Sequence, residues 1–149
     1  MLRRLTLADC VFAAMCVLFA SAAMVWLRLD RSPANWDDAW YLANSLRMYD
    51  ALVEGGPVAY ARAYLHLLGY KAPLIAVLPT PVYLIAGRHA AAAYAVNIAA
   101  MLLLFSALYA LGKRGGSARA GLIAVWAAGT MPLIYGLAHW YLEIGRAHV

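Results

Sequence analysis

The chain has 149 residues, of which 66% are hydrophobic and only 13% charged, with a mean hydropathy of +0.70. Soluble domains lie nearer half apolar and a quarter charged, so this balance argues against an ordinary water-soluble fold and for the membrane as solvent. The net charge of +5 does not imply nucleic acid, because Lys and Arg are scattered at the edges of apolar runs without a basic stripe. They read instead as topology signals.

Behind a basic flank at Arg3 and Arg4, Cys10 to Leu27 runs 18 residues without a charge, enough for a first span over about 9–28. A cleaved signal peptide is the rival, given Ala20-Ser21-Ala22, but signal cores are shorter and more apolar segments follow here. Cys10 and Cys16, six apart, point to different faces of such a helix, which argues against a bridge or a metal pair.

Most of the charge falls in the loop of about 29–89. Ser32-Pro33 or Asn35 can start a helix, with Asp37 and Asp38 in its first turn, where the dipole favours anions. Leu42, Leu46, Tyr49 and Val53 recur at helical spacing, with Asn44, Arg47 and Glu54 on another face. That pattern predicts an amphipathic helix lying along a membrane surface. Gly55-Gly56-Pro57 ends it, and Val58 to Leu68 forms a second short helical piece. Ala72 to Gly87 is uncharged, but its 16 residues include Pro73, Pro79 and Pro81. Straight helix of that length covers about 24 Å, short of a hydrocarbon core of about 30 Å. A proline-broken interfacial or re-entrant helix is therefore expected.

Ala90 to Gly112 gives a second span, Lys113 to Arg119 a tight basic turn, and Ala120 to Leu142 a third span over about 119–141. Both basic ends then lie in the cytoplasm, with an even number of crossings between them, and the loop of 29–89 lies outside. Fold class is thus all-α: a polytopic membrane protein over residues 1–142 with three transmembrane helices, juxtamembrane amphipathic helices and the proline-broken piece. The last seven residues, Glu143 to Val149, can be encoded by a common sequencing-library adapter and are expected to be a non-native read-through tail.

Candidate chemistry centres on Asp37 and Asp38. Two acids at a helix start often serve only the dipole; at the mouth of a membrane site one could act as general base, or both could hold a divalent cation such as Mg or Mn. Adjacent residues diverge by about 100° around a helix, so the two cannot act as a symmetric pair on one atom; one of them, expected to be Asp37, would face the site. Lys71, beside the proline-rich segment, either snorkels or holds the phosphate of a lipid-linked donor. Arg62 and His66, four apart on one face, are weaker cations of the same kind. Tyr41, His139 and Tyr141 are candidate substrate contacts, although Trp140 and Tyr141 also fit an aromatic belt. Asn97 in the second span reads as a helix-to-helix hydrogen bond. No nucleotide fingerprint, phosphate-cradling glycine loop or nucleophile elbow is present.

The basic N-terminus, one span, Asp37-Asp38-Ala39-Trp40-Tyr41-Leu42 and then Lys71-Ala72-Pro73-Leu74 resemble the N-terminal module of the C-type glycosyltransferase superfamily. The nearest branches are the protein O-mannosyltransferases and the lipid A aminoarabinose transferases. Ala72 stands where those enzymes carry the first of two prolines, and they are several times longer. The resemblance implies sugar transfer, with inversion, from a polyprenyl-phosphate donor to a glycan, lipid or protein acceptor at the outer face of a bacterial plasma membrane. It matches Asp37 to the catalytic acid, Asp38 to the second acid and Lys71 to the lysine near the donor phosphate. The competing expectations are a transporter or flippase fragment, with the proline-broken segment at its binding site, and a non-catalytic membrane scaffold.

Overall fold

The computed structural model describes residues 6–29, 36–67 and 74–132, and for 36–38 the backbone alone. Among these residues every regular element is a helix: α1 (Leu7–Leu29), α2 (Trp36–Leu67), α3 (Leu74–Val77), α4 (Thr80–Ala86), α5 (Ala90–Arg114) and α6 (Ala118–Thr130). They fall into two compact units, one holding 6–29 with 98–132 and the other 36–67 with 74–97.

The first unit is built from α1, the C-terminal part of α5, and α6. Thr6 and Asp9 start α1 as a reciprocal cap. The Asp9 carboxylate accepts from the Thr6 backbone N–H at 3.0 Å, and the Thr6 hydroxyl accepts from the Asp9 N–H at 3.3 Å. Asp9 also receives Lys113 Nζ at 2.7 Å and the Tyr109 hydroxyl at 2.8 Å. The start of α1 and the end of α5 therefore share one end of this unit. Phe12 stacks on Tyr109 with ring centroids 4.4 Å apart, and Phe19 meets Phe105 edge-on at 5.4 Å. Such pairs each add about 0.5–1.5 kcal/mol beyond the area they bury.

Small residues set the helix approach. A Cβ on Gly112 would lie 2.3 Å from the Gly121 Cα, so the α5–α6 hairpin closes backbone to backbone. Between α1 and α6, Gly129 lies under the Phe19 ring, with Ala23 and Ala128 buried beside it. Close contact through Gly and Ala is how helices associate where lipid removes the hydrophobic drive.

Both α1 and α5 are long and apolar enough to cross a membrane, yet only 17% and 22% of their most apolar windows are buried. The core helix of a soluble protein would be mostly covered. Here Val17, Leu18, Val25, Leu103 and Leu111 face outward.

The third span expected over 119–141 is corrected. α6 has 13 residues, Ala118–Thr130, and stops at Met131 in an extended conformation, φ −65° and ψ 123°. Met131 precedes Pro132, and a proline pushes the residue before it out of the helical region. The described residues thus hold two helices of spanning length, not three; the remainder of that segment and the 143–149 tail lie outside them.

In the second unit, α2 runs as expected to Gly55-Gly56-Pro57. Gly56 adopts φ 70° and ψ −169°, a conformation open essentially only to glycine, and breaks the element into two arms. The arms fold back on each other: Met48 and Leu67 are buried in one cluster, with Tyr60, Ala63 and Trp40 packed on it. The buried stripe of the first arm departs from the expected one. Tyr41, Asn44, Ser45 and Met48 are buried, while Leu42, Leu46 and Tyr49 are only half-buried and Val53 is exposed. Ser45 tolerates burial because its hydroxyl donates to the Leu42 carbonyl at 2.8 Å and accepts from the Tyr83 hydroxyl at 2.7 Å.

The proline-bearing stretch is broken as expected, into α3 and α4 with a turn at Leu78-Pro79. Pro79 and Pro81 lack the N–H groups that a continuous helix would give to the carbonyls four residues back. The Tyr60 hydroxyl donates to Thr80 Oγ1 at 3.2 Å and ties the second arm of α2 to the start of α4. Gly87 ends α4 at φ 94°. His89 then bridges the turn: its Nδ1 accepts from the Ala92 N–H at 3.2 Å and its Nε2–H donates to the Ala86 carbonyl at 3.0 Å.

Candidate functional site

Asp37 and Asp38 occupy the first turn of α2, which begins at Trp36, so the dipole argument for two anions applies to their backbone positions. Their side chains lie outside what the structure describes, as do Lys71, His139 and Tyr141 altogether. Tyr41, expected as a substrate contact, is fully buried in a cluster with Tyr83, Ala92 and Ala93. A contact residue needs exposed surface, and Tyr41 has none; its role here is packing. Arg62 and His66 are both exposed on the second arm of α2.

The hairpin formed by α2 creates a cleft that spacing along the chain does not reveal. Trp40, Asn44 and Arg47 from the first arm and His66 and Leu67 from the second line a cavity of about 230 Å³. An adjoining hollow of about 140 Å³ extends it over Met48 and Ala63. His66 is thus brought to Arg47 and Asn44, whereas Arg62 does not line the cleft. Among the described residues, the ionisable side chains that line it are Arg47 and His66.

Asn44 is the unusual member. It is 6% exposed, and its Nδ2–H donates to the Trp40 carbonyl at 2.8 Å. A carbonyl only accepts, so this bond fixes the amide orientation and leaves Oδ1 without a hydrogen-bond partner among the described residues.

A second charged contact lies elsewhere in the unit. Arg88 clamps Asp50 through Nε at 2.6 Å and through its second guanidinium nitrogen at 2.8 Å. That bidentate pair, with Arg88 exposed and Asp50 half-buried, holds the Asp50 carboxyl below its usual range. Its partners are 38 residues apart, and no local pattern announces them. The Thr6–Asp9 cap did leave a trace, because Thr6-Leu7-Ala8-Asp9 before an apolar run is a capping-box pattern, but nothing local announces the Asp9–Lys113 contact. Among the described residues no three His, Cys, Asp or Glu side chains converge as a metal site. The chain matches no family model, no curated protein and no solved structure.

Proposed function

We propose that this chain is a module of a membrane glycosyltransferase, moving a sugar from a polyprenyl-phosphate donor to an acceptor hydroxyl with inversion at the anomeric carbon. One observation supports it best. Trp40, three residues after Asp37, packs in the cluster built around Leu67, four residues before Lys71. The Gly56 reversal thus returns the chain close to where α2 began, which favours an acid and a cation serving one site across 34 positions of sequence. An ionised Asp37, with Asp38 beside it, would take the proton of the acceptor hydroxyl as its oxygen attacks the sugar carbon bonded to phosphate. Lys71, with Arg62 and His66 as further cations, would offset the charge left on the departing phosphate.

In this reading α1 and α5 cross a bacterial plasma membrane, the N-terminus lies in the cytoplasm, and α2 to α4 lie at the outer face. The test is transfer of labelled sugar from polyprenyl phosphate by detergent-solubilised protein carrying this chain. Asp37→Asn should lower turnover by about 10²–10⁴-fold, the range for loss of a general base, with expression and donor binding unchanged. Full turnover in that variant would remove Asp37 from the mechanism. Lipid translocation without transfer would favour a transporter.

A further inference from the structure

The cleft between the arms of α2 has a composition that selects a ligand class. Its wall offers one guanidinium (Arg47), one imidazole (His66) and no carboxylate among the described residues, which favours an anion. Arg47 presents a fork of donors at an exposed position, suited to two oxygens of one phosphate. A bare anion would leave the floor of the cleft unanswered. Asn44, more than nine-tenths buried, keeps an acceptor oxygen and one further N–H after its bond to Trp40. Asn44 lines the cavity, so a ligand hydroxyl can reach Oδ1 and take the place of water there, at a net gain typical of one hydrogen bond. Trp40, Met48 and Leu67 add apolar wall along the same cavity. About 230 Å³ is space for a small headgroup and not for a large cofactor.

We propose that this cleft binds a polyol phosphate: the phosphate on Arg47 and His66, a hydroxyl on Asn44 Oδ1 and the carbon skeleton along Trp40. The chemistry is shared by a soluble sugar or glycerol phosphate and by the glycerophosphate headgroup of an anionic phospholipid. His66 and the walls at Trp40 and Leu67 are shared with the transferase reading, but Arg47 and Asn44 are not, so their variants test this site separately from the transferase reading.

The experiment is equilibrium binding to the full chain in phosphatidylcholine nanodiscs, with glycerol 1-phosphate, inorganic phosphate and glycerol as separate probes. Glycerol 1-phosphate should bind at least about tenfold more tightly than either part, the equivalent of one further hydrogen bond. Arg47→Gln should weaken both phosphates at least about tenfold. Asn44→Leu should bring glycerol 1-phosphate down to the level of inorganic phosphate without changing the latter. Arg47 is exposed, so its variant tests the site even if Asn44→Leu does not fold. Equal affinity for glycerol 1-phosphate and inorganic phosphate, or undiminished binding in Arg47→Gln, would overturn the proposal. Adding phosphatidylglycerol to the bilayer distinguishes the sources: competition with the soluble probe identifies the lipid headgroup, and undisturbed binding of that probe identifies a soluble ligand.

Discussion

Ser45 Oγ and the Tyr83 hydroxyl lie 2.7 Å apart in the buried part of the second unit, joining the first arm of α2 to α4 across 38 residues of sequence. Ser45 donates its proton to the Leu42 carbonyl, so Tyr83 must be the donor between the two hydroxyls. The two truncations are therefore unequal. Tyr83→Phe removes one hydrogen bond, at about 0.5–1.5 kcal/mol, and leaves Ser45 bonded to its own helix. Ser45→Ala leaves a buried phenol with nothing to donate to, at about 1–3 kcal/mol. Thermal unfolding in detergent should place Ser45→Ala below Tyr83→Phe. The double variant should lose less than the sum of the singles, as expected for groups in direct contact. Additive losses would mean that the hydroxyls do not interact.

Gly56 decides whether α2 folds back on itself. Its φ of 70° with ψ near 180° is closed to residues that carry a Cβ, although no atom lies within 4 Å of where that Cβ would be placed. The penalty for Gly56→Ala is thus backbone strain alone, about 1–3 kcal/mol. The reversal brings Trp40 beside Leu67, so the substitution should lower stability and also open the cleft around Asn44. Denaturant unfolding followed by tryptophan fluorescence reads both effects. An unchanged midpoint would show that α2 does not need the glycine conformation there.

How much of this was legible follows from the range of each signal. Gly55-Gly56-Pro57 and Pro79 with Pro81 act through their own backbone, so the break in α2 and the split between α3 and α4 could be read directly from the chain. The two apolar runs of spanning length were equally local. The buried face of α2 was not, because Asn44 and Ser45 are polar and look solvent-facing until the Trp40 carbonyl meets the first and Tyr83 the second. The cleft escaped for a related reason. Arg47 and His66 lie 19 positions apart and meet only because Gly56 reverses the chain between them. The break in the expected third span was missed by counting uncharged residues through Pro132, where the restraint on Met131 ends α6.

The Asp50–Arg88 pair predicts an acid-side loss of stability with a definite sign. Arg88 depresses the folded-state pKa of Asp50 below the unfolded value of about 3.9. A depressed carboxylate contributes stability that is complete above the unfolded pKa and is lost as pH falls through the folded one. Melting temperature should therefore be flat for this pair above about pH 5 and fall below about pH 4. Asp50→Asn should be slightly less stable at neutral pH and should show a shallower decline in acid, converging with the parent at the lowest pH. Raised salt should shrink the difference, since both groups are partly solvated. Parallel acid profiles for parent and variant would show that the pair contributes nothing.

The two small-residue contacts of the first unit should differ in tolerance because different kinds of atom oppose them. A Cβ at Gly112 would meet the Gly121 backbone at 2.3 Å, and neither helix can yield there without the α5–α6 hairpin opening. A Cβ at Gly129 would meet the Phe19 ring at 2.4–2.7 Å, and a ring can turn. Overpacking costs typically run at about 1–3 kcal/mol, so Gly112→Ala should fall at the upper end and Gly129→Ala at the lower. The cause can be isolated at the second site. Phe19→Leu also costs stability alone, because it empties part of a core shared with Phe105 and loses a ring contact with the exposed Trp126, but combined with Gly129→Ala it should cost less than the two separately. No shortening of the opposing side chain can rescue Gly112→Ala, because what it meets is main chain. Thermal unfolding of the single and double variants in one detergent measures the coupling. An equal loss for Gly112→Ala and Gly129→Ala, with no relief from Phe19→Leu, would mean that these helices do not meet at the glycines.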